Sequence, residues 1–268
     1  MKRTKNPAKE AEYRKRAADL VAQMTLHEKV GQMLSWAPAI ERLGIPAYNW
    51  WSEGIHGIGR AGTATVFPQA IGMAAAFDED MMEQVGKAVG VEARGKYNMC
   101  RTHGDRDIFK GLTVWAPNIN IFRDPRWGRG HETYGEDPFL TSRLGVRFVE
   151  GMQGDDPDYL QAAACAKHFA VHSGPESDRH HFNAIVSKQD LWETYLPAFR
   201  ALVKEAGVEA VMGAYNRTNG EPCCGSKTLL KDILRDKWQF DGHVTSDCWA
   251  IKDFHTGHMV TDGPVESV

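Results

Sequence analysis

Short apolar runs and helical stretches take turns along this chain, and each run ends in a polar loop before the next helix begins. The runs fall at 47–51, 112–115, 162–166, 209–213 and His243–Ser246. Between them, helices are expected at 8–24, from the capping box Thr25–Glu28 to Leu34, at 79–99 behind Asp78, from Pro138 to Gln153, at 188–206 and at 226–237. Parallel strands need a crossover, and a helix is the usual one, so the alternation predicts an α/β fold with a parallel sheet or barrel. A chain of 268 residues matches one (β/α)8 TIM-type barrel, which takes about 250. In that architecture the loops after the strands converge on one face, and chemistry collects there.

Composition narrows the classes of function. Hydrophobic residues make up 42% and charged residues 25%, an ordinary globular balance. A net charge of −3 gives no reason to expect nucleic acid or an anionic membrane as partner. No stretch approaches the roughly 18 apolar residues of a membrane span. The charged N-terminus lacks an apolar signal core, so a cytoplasmic location is expected. Five cysteines lack paired-motif spacing, and Cys223-Cys224 has no second Cys-x-x-Cys, so neither disulfides, nor a metal, nor any cofactor is expected.

The strand-end loops hold the distinctive residues. The first is Trp50-Trp51-Ser52-Glu53 with His56 and Arg60, and the second runs from Arg123 through Arg129 to Asp137. The third is Lys167-His168 with Glu176 and Arg179; the fourth is Tyr215-Asn216; the fifth is Asp247. The short glycine runs match no dinucleotide or phosphate-binding fingerprint. Carboxylates, cationic donors and flat aromatics together suit a sugar, whose hydroxyls take charge-assisted hydrogen bonds while its C–H face packs on a ring. A carboxylate in that setting can attack an anomeric carbon. Each residue also has a plainer role open to it. Asp247 can cap the next helix, Lys167-His168 can form a rim ion pair, and Tyr215-Asn216 can be a turn. Arg123 and Arg126 are expected in structural ion pairs, and Trp127 in loop packing.

Taken together, the loops resemble the N-terminal barrel of glycoside hydrolase family 3, the β-glucosidase and β-xylosidase group. The matching segments are Trp-Ser-Glu-Gly-Ile-His-Gly from Trp51, Ala-Thr-Val-Phe-Pro-Gln from Ala64, Arg-Asp-Pro-Arg-Trp-Gly-Arg from Arg123, and Tyr-Gly-Glu-Asp-Pro from Tyr134. Lys-His-Phe from Lys167, Met-Gly-Ala-Tyr-Asn from Met212 and Val-Thr-Ser-Asp from Val244 complete the set, and the likeness runs from about Ala17 to His258. The resemblance implies retaining hydrolysis of terminal β-D-glycosides, with small-molecule or oligosaccharide substrates. It implies Asp247 as nucleophile and Glu53, Arg60, Arg129, Lys167, His168, Arg179 and Tyr215 as sugar-binding residues. The cations near Asp247 are expected to keep it ionised.

Two departures from the family pattern carry expectations of their own. Glu53 stands where many glucosidases have Asp, and the longer side chain narrows the space near the sugar's exocyclic carbon, favouring xylosides. The family's general acid lies in a following α/β sandwich domain. Residues 1–268 are expected to form a barrel truncated before its last β/α unit, without that sandwich, and an unclosed barrel favours a homo-oligomer. Glu176 is the nearest second carboxylate by loop position, with a rim role expected. Two alternatives stay open: a single-domain β-N-acetylglucosaminidase with Asp178 and His180 as acid/base, and an inactive sugar-binding fragment.

Overall fold

The computed structural model describes residues 5–172 and 174–268. Nine strands form three sheets among these residues. Trp36–Ala37 (β1) pairs antiparallel with Tyr48–Asn49 (β2). The functional sheet is parallel, in the order Thr113–Val114 (β3), Ala163–Phe169 (β4), Ala210–Gly213 (β6) and His243–Ser246 (β9). Asn183–Ala184 (β5), Arg217–Thr218 (β7) and Glu221–Pro222 (β8) form the third sheet.

The parallel sheet extends one position further, because Ser52 bridges Val114 in parallel. Four of the five expected runs form this sheet, while the first, 47–51, pairs antiparallel as β2 and only the residue after it, Ser52, meets β3. The parallel strands form an open arc among the described residues rather than a closed eight-stranded ring, so the expected (β/α)8 barrel, truncated before its last unit, is met only in its parallel α/β part. Strand β4 is buried from Ala164 to Phe169. That fits the unbroken small-apolar run 162–166 that begins it, since a parallel strand is covered on both faces.

Side chains alternate across the sheet. Val114, Ala164, Ala166 and Val211 join the large outer core under the helices. Trp115, Cys165, Ala210 and Met212 form a small inner cluster with Trp51 and Cys248. Lys167, two residues beyond Cys165, continues the inner row of β4 up to the strand's C-terminal end.

The helices start where their caps place them. The Asp78 side chain accepts from Met81 N–H to begin Glu79–Thr102 (α4, after Pro7–Gln23 α1, Leu26–Gln32 α2 and Ala70–Ala74 α3). Asp137 accepts from Leu140 N–H, with Pro138 at the first position of Pro138–Gln153 (α5). The helix at 188–206 alternates α and π turns, the first π turn ending just before Pro197, whose missing N–H breaks the regular ladder. Helix α1 has the expected amphipathic spacing, yet none of its residues is buried, nor any of α2. They are held by polar contacts such as Asn6 Nδ2 donating to Asp158 Oδ1 at 2.8 Å and the Arg14–Asp241 ion pair.

The third sheet positions the site. Strand β5 lies in the loop after β4, and β7 lies in the loop after β6; they pair in parallel, Asn183 with Arg217 and Ala184 with Thr218. The β7–β8 hairpin turns on Asn219-Gly220, both at positive φ (50° and 93°), as an Asn-Gly two-residue turn requires. This pairing holds Arg179 and His180 over Tyr215.

Candidate active site

Two clusters face each other at the C-terminal ends of the parallel strands. The first surrounds Glu53. Its loop can lie against β3 because residue 54 is glycine: a Cβ there would sit 2.5 Å from Val114 Cγ1. Glu53 Oε1 accepts from Trp51 Nε1 at 2.6 Å, and Oε2 lies 3.7 Å from Lys167 Nζ. Trp51 is itself fixed by stacking on Trp115, centroids 5.1 Å apart. Lys167 is 4% exposed, so its ammonium has little water and depends on this carboxylate.

Arg129 completes the cluster. It donates from Nε and Nη2 to Glu132, at 2.7 and 2.6 Å, in a bidentate pair. Burial pushes the Glu132 carboxyl up, but Arg129 outweighs that and holds it below its ordinary value. The third nitrogen, Nη1, reaches His168 Nε2 at 3.2 Å. Glu53, Lys167, Arg129, Glu132, His131 and Gln69 line a cavity of about 320 Å³, enough for one sugar ring. A larger cavity of about 480 Å³ lies at the opposite end of the strands, against Trp238 and Phe240. It lacks this grouping of carboxylates and cations.

The second cluster surrounds Asp247, which is 6% exposed. Its Oδ1 accepts from Cys248 N–H at 2.7 Å. Its Oδ2 is buried and has no hydrogen-bond partner. Its nearest neighbours are His168 Nε2 at 3.6 Å and the Tyr215 hydroxyl, which is near enough to the carboxylate to favour its charged form even though the geometry closes no bond to Oδ2. Burial, with the charge of Asp247 next, raises the Tyr215 hydroxyl above its ordinary value. The helix-cap role for Asp247 does not hold, since the next helix begins at Asp253 with Lys252 at its N-cap.

Burial pushes the Asp247 carboxyl above its ordinary value, and Cys248 N–H, Lys167, Arg129 and Tyr215 offset only part of that. Lys167 and Arg129, expected to keep Asp247 ionised, do favour its charged form, but burial outweighs them in the net direction. His168 adds no positive charge: burial, then Arg129, His172 and Lys167, hold its imidazole well below the usual range.

Of the residues expected at the site, Glu53, Arg129, Lys167, His168, Tyr215 and Asp247 come together. Arg179 sits at the edge, its guanidinium 5.7 Å from the Tyr215 ring centroid and paired with Glu176, which takes the expected rim role. Arg60 does not join them. It is exposed, at a backbone φ of 60°, with its guanidinium 5.1 Å from the Phe109 ring centroid. The Asp178–His180 pairing does not form either. His180 Nδ1 bonds Asp253 Oδ2 at 2.8 Å, while Asp178 lies 3.9 Å from His181. The fold brings Asp253, from beyond β9, against the His180 ring in place of Asp178.

Trp127 is buried between Phe122 and His172, in the packing role expected, and Arg126 pairs with Asp124. Among the described residues no group of three His, Cys, Asp or Glu is placed to hold a metal ion. Sequence placed Glu132 in the second loop only as an ion-pair partner, and it missed Asn120, whose Oδ1 lies 3.0 Å from His168 Nδ1. Glu132 carried a signal, being three residues from Arg129 on a helical turn. Asn120 carried none beyond its place shortly after a strand.

A family model described as Glycosyl hydrolase family 3 N terminal domain matches residues 17–268. A xylan 1,4-β-xylosidase of Xylanibacter ruminicola is 51% identical over 256 residues, 94% of this chain and 30% of the relative. Probable β-D-xylosidase 7 of Arabidopsis thaliana is 44% identical over 95% of this chain and 35% of its own length. Among solved structures, a family 3 exo-β-xylosidase in complex with a xylobiose aziridine probe superposes with a TM-score of 0.84 at 35% identity. It covers 93% of this chain and 33% of that one. A β-glucosidase from Streptomyces venezuelae in complex with D-glucose gives 0.73 at 35% identity, covering 90% of this chain and 30% of that one. The chain thus spans about a third of the length of these relatives.

Proposed function

The chain belongs to the glycosyl hydrolase family 3 N-terminal domain family, and from that premise we propose that it carries the nucleophile and the sugar-holding wall of a retaining β-glycosidase acting on terminal β-xylosides. The observation that carries this reading is the bare, buried Oδ2 of Asp247 beside a cavity lined by Glu53, Lys167 and Arg129. The arc of parallel strands is then part of a (β/α)8 barrel, with the site at its C-terminal face.

In this account Glu53, held by Trp51 and Lys167, accepts hydrogen bonds from sugar hydroxyls. Lys167 and Arg129 donate to others, and Tyr215 lines the ring. Asp247 Oδ2 attacks the anomeric carbon; the Oδ2–C1 bond forms as the C1–O bond breaks, and the electron pair leaves with the aglycone oxygen. Oδ2 can do so because no hydrogen bond must first be broken. Retention requires a second carboxyl about 5–5.5 Å from the nucleophile to protonate the leaving oxygen. Glu53 is tied to a tryptophan and a lysine, and Glu132 to Arg129. Neither is placed as that acid, so the proton comes from a group other than these two. His180, bonded to Asp253, is not the partner of Asp178 that the N-acetylglucosaminidase alternative needs.

Xylose is favoured over glucose because Glu53 is long enough to occupy the space a glucose C6 hydroxymethyl group would take. The similar xylosidases support the same preference. The test uses aryl 2-deoxy-2-fluoro glycosides whose phenolate leaves without protonation. One equivalent of phenolate per chain, released faster from the xyloside than from the glucoside, is expected. Faster release from the glucoside would overturn the substrate assignment.

A further inference from the structure

His168 and Asp247 stand 3.6 Å apart, nitrogen to oxygen, close enough that a proton on Nε2 would be drawn to the carboxylate. Which imidazole nitrogen carries the proton is fixed by Asn120. The Asn120 amide nitrogen faces two backbone carbonyls, His168 O at 2.8 Å and Ala170 O at 3.1 Å. Carbonyls only accept, so both amide hydrogens are committed there, and Oδ1 must face the other way. Oδ1 meets His168 N–H at 2.8 Å and His168 Nδ1 at 3.0 Å. An amide oxygen also only accepts, so Nδ1 carries the hydrogen and Nε2 carries a lone pair. That lone pair is met by Arg129 Nη1 at 3.2 Å, a donor that never loses its proton.

The same arrangement recurs one loop position on. Asn216 Nδ2 donates to Val171 O at 2.9 Å and Arg217 O at 2.7 Å, leaving Oδ1 toward His172 Nδ1 at 3.3 Å. His172 Nε2 is buried and without a partner, as a lone pair with no donor nearby must be. The two rings lie tilted at 48° to each other, centroids 4.6 Å apart.

We propose that Asn120 is a positioning residue: it locks His168 as the neutral Nδ1–H tautomer, so that a lone pair rather than a proton faces Asp247 and the attacking oxygen stays free of hydrogen bonds. This rests on the proposed function for its purpose, though not for its geometry. The charged and titratable groups facing His168 are Lys167 on its own strand, Arg129 from the second loop, His172 and Arg179 from the third, and Asp247 from the end of β9. Three of these are cations, so every one except Asp247 acts against a second proton on the ring.

The test is tautomer-resolved NMR on the full chain labelled with ¹⁵N, His168 being assigned by the signal lost in His168→Gln. A protonated Nδ1 and bare Nε2, unchanged between about pH 5 and 8 where an ordinary histidine titrates, are expected. A protonated Nε2, or titration within that range, overturns the proposal. Asn120→Asp places a charged acceptor on Nδ1. His168 should then titrate within that range, and labelling by the 2-fluoro xyloside should slow progressively as pH falls, by about 10-fold at the acid end. A folded Asn120→Asp chain with unaltered tautomer and unaltered pH profile contradicts it. If the unaltered chain shows the tautomer but takes no label, the glycosidase reading fails and the tautomer lock stands.

Discussion

The two sides of the site treat their carboxylates in opposite ways. Around Glu53 and Glu132 every carboxylate is matched: Glu53 by Trp51 and Lys167, Glu132 by two nitrogens of Arg129. Across from them, Asp247 keeps one oxygen bare in a buried setting. Matched charge is suited to holding: it fixes side chains in place. A bare buried oxygen is costly to fold around, and its freedom is what a nucleophile needs.

That contrast breaks most sharply at Asp247. The substitution Asp247→Asn should reduce covalent labelling by roughly 10⁴-fold, the scale on which loss of a catalytic residue is felt, without loss of folded structure by circular dichroism. Next in size is Glu53. Glu53→Ala leaves Lys167 buried and unmatched, which should cost about 3 kcal/mol of stability, read by denaturant titration. Glu53→Asp keeps the charge and opens space, and should shift labelling toward the glucoside by about 10-fold relative to the xyloside.

Acidity sharpens the same comparison. The Asp247 carboxyl is raised in the fold, so its protonated form is favoured by folding. Stability from this group is present below its ordinary value of 3.8 and is lost as pH rises above it. Glu132 is lowered from 4.5, so its contribution is present above that value and is lost as pH falls through the interval below it. Near neutral pH, Asp247→Asn should therefore gain about 1 kcal/mol over the unaltered chain, and Glu132→Gln should lose about 1 kcal/mol. Both gaps should close on acidification. Gaps of the same sign would dissolve the distinction between the two sides. Arg60→Ala should do least, changing stability by no more than about 0.5 kcal/mol and labelling by less than about twofold, since Arg60 lies outside both clusters.

What could be read from sequence was mostly local. Thr25 and Glu28, Asp78 and Pro138 mark helix starts through bonds spanning a few residues, and the structure has all of them in place. Strand β9 ends where its apolar run ends, which puts Asp247 at the strand's tip. Long-range pairing was not legible. Nothing near His180 announces Asp253, 73 residues later, and nothing near Arg60 announces that Phe109 will draw it outward. Helix α1 teaches the same lesson in reverse. Its apolar spacing was clear, but spacing names a face without naming what covers it, and here nothing described buries it. The Asn120 amide belongs with these, since its meaning depends on His168, 48 residues on.

The account turns on Asp247 Oδ2 as the attacking atom, and peptide mass mapping after reaction with an aryl 2-deoxy-2-fluoro xyloside reads it directly. One fluoroxylosyl group on the peptide spanning β9, located to Asp247 by fragmentation and absent from Asp247→Asn, is the predicted result. A label on Glu53, Glu132 or any other carboxylate, or an unlabelled chain that still binds the sugar, would contradict it.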